Sequence, residues 1–160
     1  RETEYGRHLL EKQKGMFCYG LSEKQLRNYF AKAKAKKGQT GHNLLSLMEC
    51  RLDNVVYRLK FATTRTQARQ FVLHGHVRVN GRKVNIASYI VKPGDVISVR
   101  DKESSKKLIE RYMAEAVNRN VPAWISFTDA DMTGKIERLP ERTEIDTETD
   151  EQLIVEYYSK

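Results

Sequence analysis

An α+β fold is what this sequence predicts: a helical N-terminal part, then a small mixed sheet with helices on one side. Three observations carry that expectation. Apolar residues recur at helical spacing between residues 22 and 59. An alternating segment at 76–80 and an apolar run at 96–99 flank two turn signals, Asn80-Gly81 and Pro93-Gly94. Beyond residue 104 one more helical pattern is followed by short apolar runs separated by breakers. A chain of 160 residues suits one domain or two small ones and can bury a modest core.

The elements follow in order. Tyr5, Leu9 and Leu10 share one helical face within residues 1–20, which Gly15 and Gly20 punctuate. Ser22-Glu23-Lys24-Gln25 has the spacing of a capping box. Leu26, Tyr29, Phe30 and Ala33 then recur at i, i+3, i+4 and i+7, the stripe of an amphipathic helix. That helix runs out in Lys34-Ala35-Lys36-Lys37 and a flexible Gly38-Gln39-Thr40-Gly41. Residues 43–59 read as one further helix, with a wide stripe of core residues from Leu44 to Leu59. Thr64-Arg65-Thr66-Gln67 opens another capping box, with Ala68, Phe71 and Val72 facing inward and Gly75 as the stop signal. His76-Val77-Arg78-Val79-Asn80 alternates, and Asn80-Gly81 is the strongest short hairpin signal. Val96–Val99 reads as a buried strand after the Pro93-Gly94-Asp95 turn. Leu108, Ile109, Tyr112, Met113 and Ala116 define a helix that Val121-Pro122 ends. Trp124–Phe127, Gly134–Leu139 and Leu153–Tyr157 read as short strands, with a solvated acidic loop at Glu144–Glu151.

Charge is unevenly placed. The chain carries a net +8, yet residues 24–100 hold 16 Lys and Arg against 3 Asp and Glu, while residues 127–160 hold 4 against 10. A basic first two-thirds calls for a polyanionic partner. Cys18 and Cys50 are far apart and form no CxxC, which fits a reducing, cytosolic compartment. No apolar run has the length of a bilayer span, and no signal-peptide pattern is present.

Catalytic and metal chemistry find little support. His74 and His76 form an H-x-H without a carboxylate or thiol at ligand spacing, so neither a metal site nor a cofactor is expected. No Gly-rich phosphate loop follows a strand, Gly-x-Ser-x-Gly is absent, and neither cysteine lies in a His-containing motif. Arginine carries the positive case. Arg51 and Arg58 lie two turns apart, and Arg65 and Arg69 one turn apart on the next helix. Forked guanidinium donors match phosphate oxygens, and few acids are nearby to neutralise them. Tyr5, Tyr19 and Tyr57 are candidates for stacking on bases.

Four linked motifs sharpen this: R-x-D-x-V-x-x-R-L at Arg51–Leu59, R-x-x-A-R-Q at Arg65–Gln70, H-G-H-V-x-V-N-G at His74–Gly81 and S-Y-x-V-K-P-G-D at Ser88–Asp95. Together they resemble the S4-type RNA-binding module, which also occurs in pseudouridine synthases, tyrosyl-tRNA synthetases and a heat-shock RNA-binding protein. The flanks decide among these. Tyr5-Gly6 with Leu10–Lys14, Pro122-Ala123-Trp124, Leu139–Arg142 and the ending Leu153–Ser159 resemble the bacterial small-subunit ribosomal protein S-four (uS4) family. The likeness covers essentially the whole chain, which starts beyond that family's basic N-terminal segment.

The resemblance implies two domains with the module inserted: a helical domain over 1–50, rejoined by about 153–160, and an α+β domain over 51–152, the module occupying about 50–113. It implies a non-enzymatic protein that binds 16S ribosomal RNA directly and nucleates small-subunit assembly. Translational fidelity and repression of its own operon are the family's further associations. The implied partners are 16S RNA, neighbouring small-subunit proteins and mRNA, with a monomer expected outside the ribosome. Arg51, Arg58, Arg65, Arg69, Arg78 and Arg82 are then expected to grip phosphates. Gln67, Gln70, His74, His76 and Asn80 add hydrogen bonds, and Arg27, Lys32, Lys34, Lys36, Lys37 and Lys83 extend the basic surface. The rival readings are a pseudouridine synthase fragment using Asp53 of Arg51-Leu52-Asp53, and a protein-interaction module using the acidic C-terminal region.

Overall fold

A computed structural model describes residues 3–160. The chain forms two compact units: the segment ending at Glu49 together with Glu141–Lys160, and Cys50–Pro140. The α+β class is as expected, with seven helices and one five-stranded sheet among the described residues.

The helical unit contains α1 (Glu4–Tyr19), α2 (Glu23–Ala35), α3 (Thr40–Glu49) and α7 (Glu151–Tyr158). At the start of α2 the Ser22 hydroxyl accepts from Gln25 N and the Gln25 carbonyl from Ser22 N, a complete capping box. Leu26, Tyr29, Phe30 and Ala33 are buried, as the spacing predicts. On α1 the buried positions are His8, Lys12, Gly15 and Tyr19, whereas Tyr5 and Leu10 are exposed.

The C-terminal run Leu153–Tyr157 is helical, not a strand. Asp150 caps it by accepting from Gln152 N, and the helix packs on α1 and α3. A Cβ at Gly41 of α3 would stand 2.8 Å from Glu151 Cγ, so that contact depends on glycine. The apolar run is compatible with either structure on periodicity alone. The acidic stretch before it is also more than a solvated loop. Its acids Asp146, Glu148 and Asp150 are exposed, but Ile145, Thr147 and Thr149 alternate inward. Arg142 holds the segment by donating to the carbonyls of Ile145 and Thr149 and to Glu151. The helical unit therefore resumes at Glu141, ahead of the expected 153.

The second unit contains α4 (Leu52–Arg58), α5 (Arg65–Leu73), α6 (Glu103–Glu115) and the strands β1 (Val77–Val79), β2 (Arg82–Lys83), β3 (Val96–Val99), β4 (Ile125–Thr128) and β5 (Thr133–Ile136). The sheet order is β2-β1-β3-β5-β4, and every pairing is antiparallel rather than mixed. Asn80 (φ 53°) and Gly81 (φ 78°) form the predicted two-residue turn of the β1–β2 hairpin, with Val79 opposite Arg82. Val77 and Val79 face inward, while β3 buries only Ile97 and Val99.

The helix expected over 43–59 is two, α3 and α4. Arg51 interrupts it in extended conformation (φ −65°, ψ 141°). There the backbone pairs with residues 87–91: Leu52 N donates to Tyr89 O, Asp53 N to Ala87 O and Val91 N to Cys50 O. Sheet-like bonds between residues distant in sequence outweigh a helical pattern that runs through without a breaker. The core beneath α4 and α5 gathers Leu52, Val55, Val56, Leu59, Ala68, Phe71, Val72, Val77, Ile97, Ile109, Trp124 and Ile136. Packing is close at Gly134, where a Cβ would run into Leu59 Cδ2.

Candidate nucleic-acid interface

The α4–α5 pair presents most of the arginines. At the start of α5 the Thr64 hydroxyl accepts from Gln67 N. The capping box is only half closed, because Gln67 Oε1 accepts instead from Thr63 N and Thr63 Oγ1. Gln67 therefore shapes the turn rather than reaching outward, and Gln70 is the exposed glutamine of the pair.

Asp53 organises the seam between the helices. It is 2% exposed and accepts from Arg51 Nε at 3.1 Å and Arg51 Nη2 at 2.9 Å. Its own helix donates Asn54 N at 2.7 Å, and Arg69 Nε approaches at 3.4 Å. Arg51 is itself 2% exposed, so the expectation that it grips a phosphate is corrected: its forked donors face a buried carboxylate. One well-placed acid suffices, although the sequence is poor in acids. Asp53 is thereby a structural anchor. Next to it, buried Asn54 accepts from Arg65 Nε at 2.9 Å, which aims the partly exposed Arg65.

Tyr57 adds an aromatic surface. The guanidinium carbons of Arg65 and Arg119 lie 4.5 and 4.1 Å from its ring centroid, and that of Arg58 lies 5.8 Å away. Arginines already occupy the ring, so base stacking is not its first role. Tyr19 is not a stacking residue either: it is buried and bonded to Glu49 at 2.6 Å.

The hairpin supplies the second group. Arg82 and Lys83 are exposed and Arg78 partly so. Asn80 serves the fold: its side chain donates to Asp95 at 3.0 Å and accepts from Val96 N at 2.9 Å. His74 is exposed. His76 shares a 2.8 Å hydrogen bond with Ser105 Oγ. Burial first, then the charges of His74, Arg100 and Lys102, push the His76 pKa below its ordinary value and keep the ring neutral near pH 7. Arg100, Lys102 and Arg119 were not singled out in the sequence. The first two follow a strand and the third a helix end, with no periodic signal to mark them.

In the helical unit, Arg27, Lys32, Lys34, Lys36 and Lys37 are all exposed. The segment after α2 is shorter than expected, since α3 begins at Thr40. Asn43 holds it by donating to the carbonyls of Ala33, Lys36 and Lys37. The same unit brings Glu4, His8 and Glu156 together, their ligand atoms within 4.8 Å of one another. His8 Nε2 is already engaged with Glu156 at 2.7 Å, and its Nδ1 is buried without a partner among the described residues. Freeing Nε2 for a metal would move the proton to Nδ1 and bury an unpaired N–H, so the contact reads as a hydrogen bond tying α1 to α7.

The α4–α5 pair and the β1–β2 hairpin thus each carry exposed or partly exposed cations. The family model "S4 domain" matches residues 50–97, and the model "Ribosomal protein S4/S9 N-terminal domain" matches residues 1–49. Small ribosomal subunit protein uS4 of Natranaerobius thermophilus is 50% identical over 160 residues, all of this chain and 77% of the relative. The chain belongs to the uS4 family. The uS4 protein of Rubrobacter xylanophilus is 51% identical over the whole chain and 79% of its own length, and uS4A of Symbiobacterium thermophilum 52% over the whole chain and 77%. Likeness to uS4 proteins end to end, not only across the S4 domain, decides against the pseudouridine synthase reading, and the chain is not an enzyme. The matched domain ends at 97, short of the expected 113. Among the described residues no helix is long and apolar enough to cross a membrane.

Proposed function

We propose that this uS4 protein binds 16S ribosomal RNA directly and nucleates assembly of the small ribosomal subunit in the cytoplasm. The observation that carries this is the cluster of Arg58, Arg65, Arg69, Arg78, Arg82 and Lys83 at the surface of the matched S4 domain. Gln70 and His74 are exposed beside them. Phosphate contacts from such a face fix register, and the shape of a folded junction selects the site. Arg27, Lys32, Lys34, Lys36 and Lys37 extend the contact from the helical unit. Neighbouring small-subunit proteins are the further partners, and the acidic C-terminal segment offers them a surface. Translational fidelity, contact with mRNA, repression of its own operon and a monomeric free state belong to the same reading.

The test is binding to a folded multi-helix junction RNA across salt concentrations. With about six phosphates neutralised, log K should fall against log salt with a slope near −5. Weak binding with no salt slope refutes the reading.

A further inference from the structure

Arg119 lies outside the matched S4 domain, in the turn that follows α6, where its N–H donates to Ala116 O. Its side chain reaches back to the end of α4. Nη1 donates to Tyr57 O at 2.9 Å, and Nη2 donates to Ala62 O. Tyr57 O lies in the last turn of α4, where it also accepts from Lys60 N at 3.0 Å, and Ala62 O lies just past that turn. The same guanidinium carbon stands 4.1 Å from the Tyr57 ring centroid, and Arg65 lies 4.5 Å from that centroid. One arginine thus fixes both the backbone that carries Tyr57 and the ring against which Arg65 rests.

Three guanidinium groups around one phenol repel one another. Burial, and then Arg58 and Arg65, lower the Arg119 pKa, while Tyr57 raises it. The two carbonyls and the ring face offset that repulsion at Arg119, as oriented dipoles and a ring quadrupole do for a partly desolvated cation. Arg65, held on its other side by Asn54, is left in one orientation. A lysine cannot reproduce this, since an ammonium has no planar face to stack while forking to two carbonyls.

We infer that Arg119 is a positioning residue for the RNA grip, acting through Tyr57 to hold Arg65 in its phosphate-binding orientation. The inference rests on the RNA-binding reading above. Arg119→Lys keeps the net charge, so a role in the overall field alone leaves binding unchanged. Affinity for the junction RNA is measured for wild type, Arg119→Lys, Arg65→Ala and the double variant, with thermal unfolding alongside. The expected result is a roughly tenfold loss for Arg119→Lys, and a double variant no weaker than Arg65→Ala alone, the non-additivity of residues that act as one unit. Wild-type affinity in Arg119→Lys, or losses that multiply, overturns it. If Arg119→Lys unfolds the unit, Tyr57→Leu, which keeps both carbonyls, carries the same comparison with Arg65→Ala. A wild-type salt slope near zero refutes RNA binding itself; a normal slope with no coupling refutes only the role of Arg119.

Discussion

The two units bury polar groups for different ends. In the helical unit they join helices. Buried Lys12 of α1 donates to Glu23 of α2 at 2.6 Å, buried Tyr19 to Glu49 of α3, and buried His8 pairs with Glu156 of α7. The Cys50–Pro140 unit has a continuous apolar core, in which, among the described residues, the Trp124 indole N–H has no partner. Its buried polar side chains bond residues of the α4–α5 pair, His76 and the hairpin turn. Asp53 bonds Arg69, Asn54 bonds Arg65, Ser105 bonds His76 and Asp95 bonds Asn80. One unit uses buried polarity to define helix packing, the other to preorganise a surface.

The sharpest way to break this contrast is Asp53→Ala. It removes the acceptor of Arg51 Nε and Nη2 and leaves a buried guanidinium without its carboxylate. The expected cost is about 3–5 kcal/mol in urea unfolding, as for breaking one partner of a buried pair. A loss below about 1 kcal/mol, the size of an exposed pair, would mean the seam is solvated. Next is Gly134→Ala, which tests the close packing of the apolar core. Overpacking against Leu59 should cost about 1–3 kcal/mol by the same measurement, and RNA affinity of the folded fraction should be unchanged.

The smallest effect sharpens the other side of the comparison. The Lys12 hydrogen bond first, then Tyr158 and Arg27, hold Glu23 below its ordinary 4.5 despite burial. Burial pulls Lys12 down, but its contacts with Glu23 and Tyr157 outweigh that and raise it above 10.5. Burial and Glu23 also raise Tyr158. Glu23 therefore contributes stability that is present above pH 4.5 and lost as pH falls through its lowered folded value. Lys12 contributes stability present below 10.5 and lost as pH rises through its raised value. Urea unfolding followed on α1 and α7 amide signals by NMR should show an acid limb that Glu23→Gln flattens, with the limb of α4 and α5 signals unchanged. An identical limb in Glu23→Gln would remove the pair from the account.

Local patterns made the class, α2, α5 and the hairpin legible, because Ser22, Thr64 and Asn80-Gly81 act within four residues of their own position. The break at Arg51 was not, since it depends on backbone bonds to residues 87–91. Nor was α7, whose Leu-Ile-Val run reads equally as strand. At the candidate site, arginine spacing marked the α4–α5 pair but not which arginine is spent inside. Arg51 and Arg69 share one carboxylate, and no spacing rule ranks them. Arg119 is brought to Tyr57 from 62 residues away, so only the fold could reveal it.

The central claim is that RNA is held by the arginine face of the Cys50–Pro140 unit rather than by positive charge at large. Two triple variants with the same change in charge test it: Arg65, Arg82 and Lys83 to Ala, against Lys14, Lys107 and Lys160 to Ala. For the first, affinity for the junction RNA should fall on the order of 100-fold, with the salt slope reduced by about 3. The second should stay within roughly threefold of wild type, as long-range terms between exposed charges are screened. Equal losses from the two would contradict the account.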